Sequence, residues 1–157
     1  MITLVRRLMS TRFIISAILC FSWVIFLCCS AQAGEQGDYL GADTCRTCHK
    51  GLWDRWQKTG HAKAYESLKK SNQHELPDCL RCHTTAYAEG GYIDHELTPE
   101  LSGVQCEVCH GAGKNHIAAP EKKDVMTRKP AESACRSCHT IKQDPKFDYA
   151  GKKKLVH

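Results

Sequence analysis

The chain has 157 residues, enough for one domain but short for two. Its formal net charge of +5 comes from 22 lysines and arginines against 17 aspartates and glutamates, and the basic residues are scattered, which argues against nucleic-acid binding. Beyond residue 33, only 16 of 124 residues are leucine, isoleucine, valine or phenylalanine, well under the roughly 20% at which disorder becomes a serious alternative. Such a chain either stays unfolded or folds around a large apolar group that it does not encode.

The first 33 residues have the features of a secretory signal peptide. Three arginines precede an apolar run over residues 13–29, and the sequence Ala-Gln-Ala ends at Ala33, in the small-x-small form of a cleavage site. We therefore expect cleavage after Ala33, export to the periplasm and a mature domain of residues 34–157. The alternative is a retained membrane anchor, for which a run of 17 residues is at the short limit.

The eight cysteines of the mature chain all belong to four Cys-x-x-Cys-His motifs. The cysteine pairs are Cys45 and Cys48, Cys79 and Cys82, Cys106 and Cys109, and Cys135 and Cys138, followed by His49, His83, His110 and His139. Two thiols at this spacing can each bond one vinyl-derived carbon of the same porphyrin, while the next imidazole reaches the iron as its proximal ligand. The sequence therefore predicts four covalently attached haem c groups.

Other chemistries also use paired cysteines. Four pairs could hold two zinc ions, form the disulfides of an exported protein, or act as thioredoxin-like redox pairs. Zinc and disulfide schemes require nothing after the second cysteine, whereas all four pairs here are followed by histidine. Haem also supplies the apolar surface that the side chains lack.

Between the motifs, the sequence predicts short helices and loops. Residues 51–70 have an apolar stripe at the helical period, with His61 at its edge and Gly60 at a point where the helix is expected to kink or split. A turn-rich linker follows near Gly90, and residues 118–130 read as loop plus a short helix. The expected fold class is mostly α with extensive loop and little or no sheet, a small multihaem cytochrome c fold organised around its four haems.

Five histidines outside the motifs are candidates for the second axial position on the irons. They are His61, His74, His95, His116 and His157. His61, beside the apolar stripe, and His116, after a glycine-rich loop, are the favoured ligands. His74 and His95 lie among polar residues, and His157 ends a lysine-rich tail; of these three, His157 is included among the predicted metal ligands because up to four irons need a sixth ligand.

Several segments beyond the motifs resemble the tetrahaem cytochrome c-554 family. They are the first motif with the following lysine, the sequence Trp-Gln-Lys-Thr-Gly-His-Ala-Lys-Ala-Tyr-Glu-Ser-Leu over residues 56–68, the Gly-Gly-Tyr at residues 90–92, and the sequence from Leu101 to His116. The resemblance covers residues 43–139. It implies a mostly helical and loop fold with closely packed haems.

The resemblance also implies particular axial ligands. His61 would be the distal ligand of the third haem, His116 would serve the first haem, and the second haem would lack a protein sixth ligand. Family members usually have proline where this chain has Ala112, a change that we expect to be tolerated. Only 18 residues follow the fourth motif, and His157 is the sole candidate ligand among them for the fourth haem.

Two functions are consistent with these features. The favoured one is electron transfer between periplasmic or membrane-bound redox proteins, with no nucleic-acid partner, and with membrane attachment only if the N-terminal segment is retained. The alternative is reduction of a small nitrogen oxide at a five-coordinate second haem. The coordination of that haem discriminates between the two.

Overall fold

The computed structural model describes residues 37–156. The predicted signal peptide and His157 lie outside these residues. The helices are α1 at Ala42–Trp56, α2 at Ala64–Lys70, α3 at Pro77–His83, α4 at Cys106–His110, α5 at Lys114–Ala118, α6 at Glu132–Arg136 and α7 at Tyr149–Lys152. Two 3₁₀ helices span Pro99–Leu101 and Lys153–Leu155.

Helix and loop account for this region, as predicted. The β-type pairing within residues 37–156 is a single bridge between Thr84 and Ser102, so no sheet forms in this part of the chain. Across the same residues, no helix is both long and apolar enough to cross a bilayer. The fold-class prediction is confirmed for the part of the chain that the structure describes.

The predicted helix over residues 51–70 is two helices joined by turns. Helix α1 ends at Trp56 and α2 begins at Ala64, with Gly60 in the intervening turns. Most of the predicted apolar stripe is nevertheless buried: Trp53, Ala64 and Leu68 have at most 9% of their surface exposed, while Trp56 is half-buried.

A small core holds α2 and α3 together. It consists of five buried side chains, Tyr65, Leu68, Leu80, Tyr92 and Leu101, with Tyr39, Cys79 and Tyr87 packed at its edge. A core this small removes little apolar surface from water compared with a domain of similar length. The rest of the interior is arranged around the cysteine motifs.

The predicted short helix within residues 118–130 is wrong. Helix α5 ends at Ala118, and turns and irregular backbone follow as far as Ala131. Pro120 and Pro130 bound this segment, and proline removes an amide donor that a helix interior needs. The helix therefore forms before the first proline.

Candidate haem sites

In the first three motifs both cysteines lie within one helix and the histidine lies where regular helix stops, whereas in the fourth motif Cys135 lies in α6 and Cys138 in the turn that follows. Helix α1 is interrupted at His49, whose backbone has φ −114° and ψ 40°. His83 and His110 are the last residues of α3 and α4, and His139 follows α6. Residues three apart share one face of a helix, so both sulfur atoms face the same side in each of the first three motifs.

Three of the four motif histidines have a hydrogen-bond acceptor at Nδ1. The contacts are His83 to the carbonyl of Ala64 at 2.9 Å, His110 to the carbonyl of Thr127 at 2.5 Å, and His139 to the carboxylate of Asp144 at 3.0 Å. A carbonyl oxygen only accepts, so Nδ1 carries the proton in the first two rings. This leaves Nε2 as the unprotonated nitrogen that binds a metal.

Two pairs of histidines face each other at the separation that a shared iron requires. The ring centres of His49 and His116 are 6.4 Å apart, with 23° between the ring planes. Those of His61 and His139 are 6.1 Å apart, with 56° between the planes. A metal-bound imidazole nitrogen lies about 2 Å from the metal and roughly 1.1 Å from its ring centre, so ligands on opposite faces of one iron have centres about 6.2 Å apart.

The first pair matches an assignment that the resemblance implies, and the second pair differs from one. His116 lies opposite the histidine of the first motif, as the resemblance implies. His61 does not lie opposite His110 of the third motif; it faces His139 of the fourth. Helices α4 and α6 contact each other, so the third and fourth motifs are neighbours. The loop that carries His61 can therefore face either motif.

Two hydrogen bonds from one short segment hold the His61 loop in place. The amide of Val104 donates to the carbonyl of His61 at 3.0 Å, and the indole Nε1–H of Trp56 donates to the carbonyl of Val104 at 2.9 Å. Gly103 has φ +89°, and an added Cβ would lie 3.0 Å from the carbonyl oxygen of Ala62. Glycine is therefore required where this segment approaches the loop.

Burial also favours His61 as a ligand. Desolvation, with a smaller contribution from the nearby His139, lowers the pKa of His61 from its ordinary value. A lower pKa maintains the neutral imidazole at neutral pH, and only the neutral ring offers a lone pair to a metal.

The histidine of the second motif has a different environment. His83 contacts the carbonyl of Ala64 and, at 3.3 Å, the hydroxyl of Ser67. Among residues 37–156, no ring contact places a second imidazole opposite it. His74 and His95 instead pack against Tyr65, at ring-centre distances of 6.4 and 5.1 Å.

A cavity of about 880 Å³ connects the second and fourth motifs. Its lining includes Cys82 and His83 on one side and Cys138 and His139 on the other, together with Leu155 and Val156 of the C-terminal segment. The volume is within the roughly 300–1,000 Å³ of cofactor and ligand sites. The cavity and the histidine pairs fit covalently attached haem.

The cysteine thiols, which would become thioethers on haem attachment, show which motifs are neighbours. Cys45 of the first motif hydrogen-bonds to Cys106 of the third, which raises the pKa of Cys45. Burial raises the pKa of Cys82 to about 12, and its hydrogen bond to Cys138 contributes. Burial likewise raises the pKa of Cys109 to about 11, with Cys135 of the fourth motif contributing. The attachment sites therefore follow the spatial order first, third, fourth, second.

Sequence reasoning missed three polar residues that organise these sites. Asp144 contacts His139, while the buried Gln105 and Glu107 bind backbone groups next to the first motif. One feature of the sequence indicated Glu107, because this glutamate stands at a variable position inside the third motif. No local sequence pattern identifies Gln105 or Asp144. Gln105 binds an amide that is distant in sequence, and the contact of Asp144 with His139 depends on the geometry of this loop.

Comparison with known proteins agrees with this arrangement. A family model described as cytochrome c554 and c-prime matches residues 44–111. Cytochrome c-554 of Nitrosomonas europaea is 34% identical over 108 residues, which are 58% of this chain and 46% of that protein. The chain thus spans about half the length of the curated relative that it matches.

A solved structure gives a broader match. The reduced state of cytochrome c554 from Nitrosomonas europaea aligns with a TM-score of 0.62 at 27% identity, covering 77% of this chain and 84% of that chain. The matched fold and the four motifs confirm the predicted cofactor, haem c attached at four sites. In sequence over residues 44–111 and in fold over most of its length, the chain is therefore similar to cytochrome c554.

Proposed function

We propose that this protein is a periplasmic electron carrier that exchanges electrons with other exported or membrane-bound redox proteins. The observation that carries the proposal is the pair of facing histidines at two motifs, His49 with His116 and His61 with His139. Histidine on both faces of an iron excludes substrate from the metal and suits outer-sphere electron transfer, which is the chemistry that haem supplies.

The arrangement of the motifs supports the same function. Neighbouring sites connect the first motif to the second through the third and fourth. The chain positions these attachment sites through short helices that contact one another, α1 with α4 and α4 with α6. A connected series of sites lets electrons enter and leave at different surfaces of the protein.

Export is part of the proposal. The positive, apolar and small-x-small regions of residues 1–33 support secretion with cleavage after Ala33. A fusion of these residues to a reporter enzyme that is active only outside the cytoplasm tests it. We expect periplasmic activity with the natural sequence and loss of activity when the apolar run is interrupted by charged residues.

Carbon monoxide titration of the dithionite-reduced holoprotein tests the proposed ligation. We expect the Soret band to shift by no more than two haems' share, because the facing histidine pairs close the irons of the first and fourth motifs. A shift corresponding to three or four haems would mean that at least one histidine pair does not close its iron, and the carrier proposal would be rejected.

The environment of His83 favours a second candidate function, reduction of a small nitrogen oxide at the second haem. The described residues place no imidazole opposite His83, and its ring borders the large cavity. Stopped-flow mixing of reduced protein with nitric oxide, with and without carbon monoxide bound, tests this function. Fast reoxidation that carbon monoxide blocks supports it, whereas equal rates with and without carbon monoxide reject it.

A further inference from the structure

Glu107 is a buried carboxylate inside the third motif, between Cys106 and Val108. Its exposed fraction is 2%, and among the ion pairs within residues 37–156 none includes it. Buried carboxylates are rare without a compensating partner. The stability of this carboxylate therefore depends on the groups that it binds.

The partners of Glu107 are backbone amides from two separate segments. Oε2 accepts from the amide of Gly41 at 2.8 Å, and Oε1 accepts from that of Gly113 at 2.8 Å. The amide of Leu40 lies 3.0 Å from Oε1 and 3.1 Å from Oε2. Charge-assisted hydrogen bonds of this kind are the stronger ones in proteins.

These two segments each lead into a proposed ligand of the first iron. Leu40 and Gly41 immediately precede α1, which carries the first cysteine pair and His49. Gly113 immediately precedes α5, which carries His116. One carboxylate on the third motif thus fixes the starts of both helices whose histidines face each other.

We infer that Glu107 is a positioning residue that holds His116 opposite His49. It does not touch the iron; it sets the separation of the two helices through their first amides. The inference deepens the proposed function and rests on its ligand pair for the first haem.

Replacing Glu107 with glutamine removes this linkage without a large change in volume. A glutamine side chain has one acceptor oxygen, and its NH₂ group can only donate. If the oxygen takes the Oε1 position, the NH₂ group faces the amide of Gly41; in the flipped orientation it faces that of Gly113. Either way, one helix start loses its acceptor.

The experiment measures carbon monoxide uptake by reduced protein and the high-spin ferric signal, for molecules that carry four haems. His116→Ala serves as the benchmark, and we expect it to add one carbon monoxide equivalent relative to the unmodified protein. Glu107→Gln is expected to add a substantial part of that equivalent, with a matching ferric high-spin signal. The matched control Glu121→Gln, at an exposed glutamate, is expected to leave both readouts unchanged.

The outcomes distinguish failure of the ligand pair from failure of the positioning role. No change in His116→Ala would reject the ligand pair itself. A change in His116→Ala with none in mature Glu107→Gln would overturn only the positioning role, even if stability fell.

If Glu107→Gln does not mature, Gly113→Ala decides the question. This variant keeps the carboxylate but places a Cβ 3.0 Å from its Oε1 atom, and we expect partial opening of the first haem. An unchanged spectrum in that variant would overturn the inference.

Discussion

The hydrogen-bond acceptor at Nδ1 differs among the motif histidines, and it affects how basic each imidazole is as an iron ligand. His139 faces the carboxylate of Asp144, whereas His83 and His110 face backbone carbonyls. A carboxylate makes its imidazole a more basic ligand than a carbonyl does, and a more basic ligand stabilises the ferric state. The haem at the fourth motif is therefore expected to have a lower reduction potential than a carbonyl partner would give it.

Asp144→Asn should raise the potential of that one haem. The charge-assisted hydrogen bond is worth on the order of 1 kcal/mol more than a neutral one, about 40 mV for a one-electron couple; partial exposure of both side chains reduces the expected shift to roughly 20–40 mV. Spectroelectrochemical titration measures it. Asp124→Asn, at an exposed aspartate, is the control, and equal titration curves for all three proteins would contradict the prediction.

A second variant tests which iron His61 faces. His61→Ala should open one additional haem to carbon monoxide, because its imidazole faces that of His139. The haem that opens should be the same one whose potential Asp144→Asn shifts. Potentiometry of the double variant checks this, and a shift in a haem that does not bind carbon monoxide would place His61 at another motif.

Particular residues show why only part of the site follows from the sequence. The attachment motifs are local, since two thiols and an imidazole within five residues suffice to define them. The iron that His61 faces depends on a contact with Val104, far along the chain, which no local period encodes. The positioning role of Glu107 could not be predicted either, because the amides of Leu40 and Gly41 that it binds are distant in sequence.

The connection between helices α1 and α2 shows whether a glycine is required where the predicted helix divides. The prediction that the helix splits near Gly60 agrees with the structure, but Gly60 has ordinary backbone geometry with no atom within 4 Å of an added Cβ. The break instead accompanies hydrogen bonds from Trp56 and Val104. Tertiary contacts, rather than the glycine itself, determine the geometry of this connection.

Alanine at two glycine positions should therefore have opposite effects. Gly60→Ala is expected to leave stability unchanged or raise it by about 0.4–1 kcal/mol, because it restricts the unfolded chain. Gly103→Ala is expected to cost roughly 1–2 kcal/mol, because φ is +89° and the new Cβ meets the carbonyl of Ala62. Denaturant unfolding of the holoproteins measures both, and similar values for the two variants would contradict the account.

For the molecule as a whole, side chains alone provide too little buried surface. Eight apolar residues are buried within residues 37–156, and several polar side chains in the interior serve the haem sites. The composition predicted this shortage, because so few aliphatic residues follow residue 33. What composition could not predict was the placement of the remaining core between α2 and α3, beside the second motif.

A chain with all eight motif cysteines replaced by serine should not fold. Without haem attachment, the conformational entropy of ordering the chain, about 1–2 kcal/mol per residue for the backbone, exceeds what the small core returns. Far-ultraviolet circular dichroism should show a coil, and limited proteolysis should degrade this variant within the time that leaves the holoprotein intact. A helical, protease-resistant variant would show that the polypeptide folds by itself.

The pairing of His49 with His116 and of His61 with His139 has a consequence for biosynthesis. If the chain is exported from its N-terminus as proposed, the first motif emerges long before His116, whereas His61 emerges before the fourth motif that carries His139. The first motif would therefore receive its haem on an open chain, with the iron held from one side only. Closure of the second side of this iron would be a late event that completes the packing of a segment already carrying its haem.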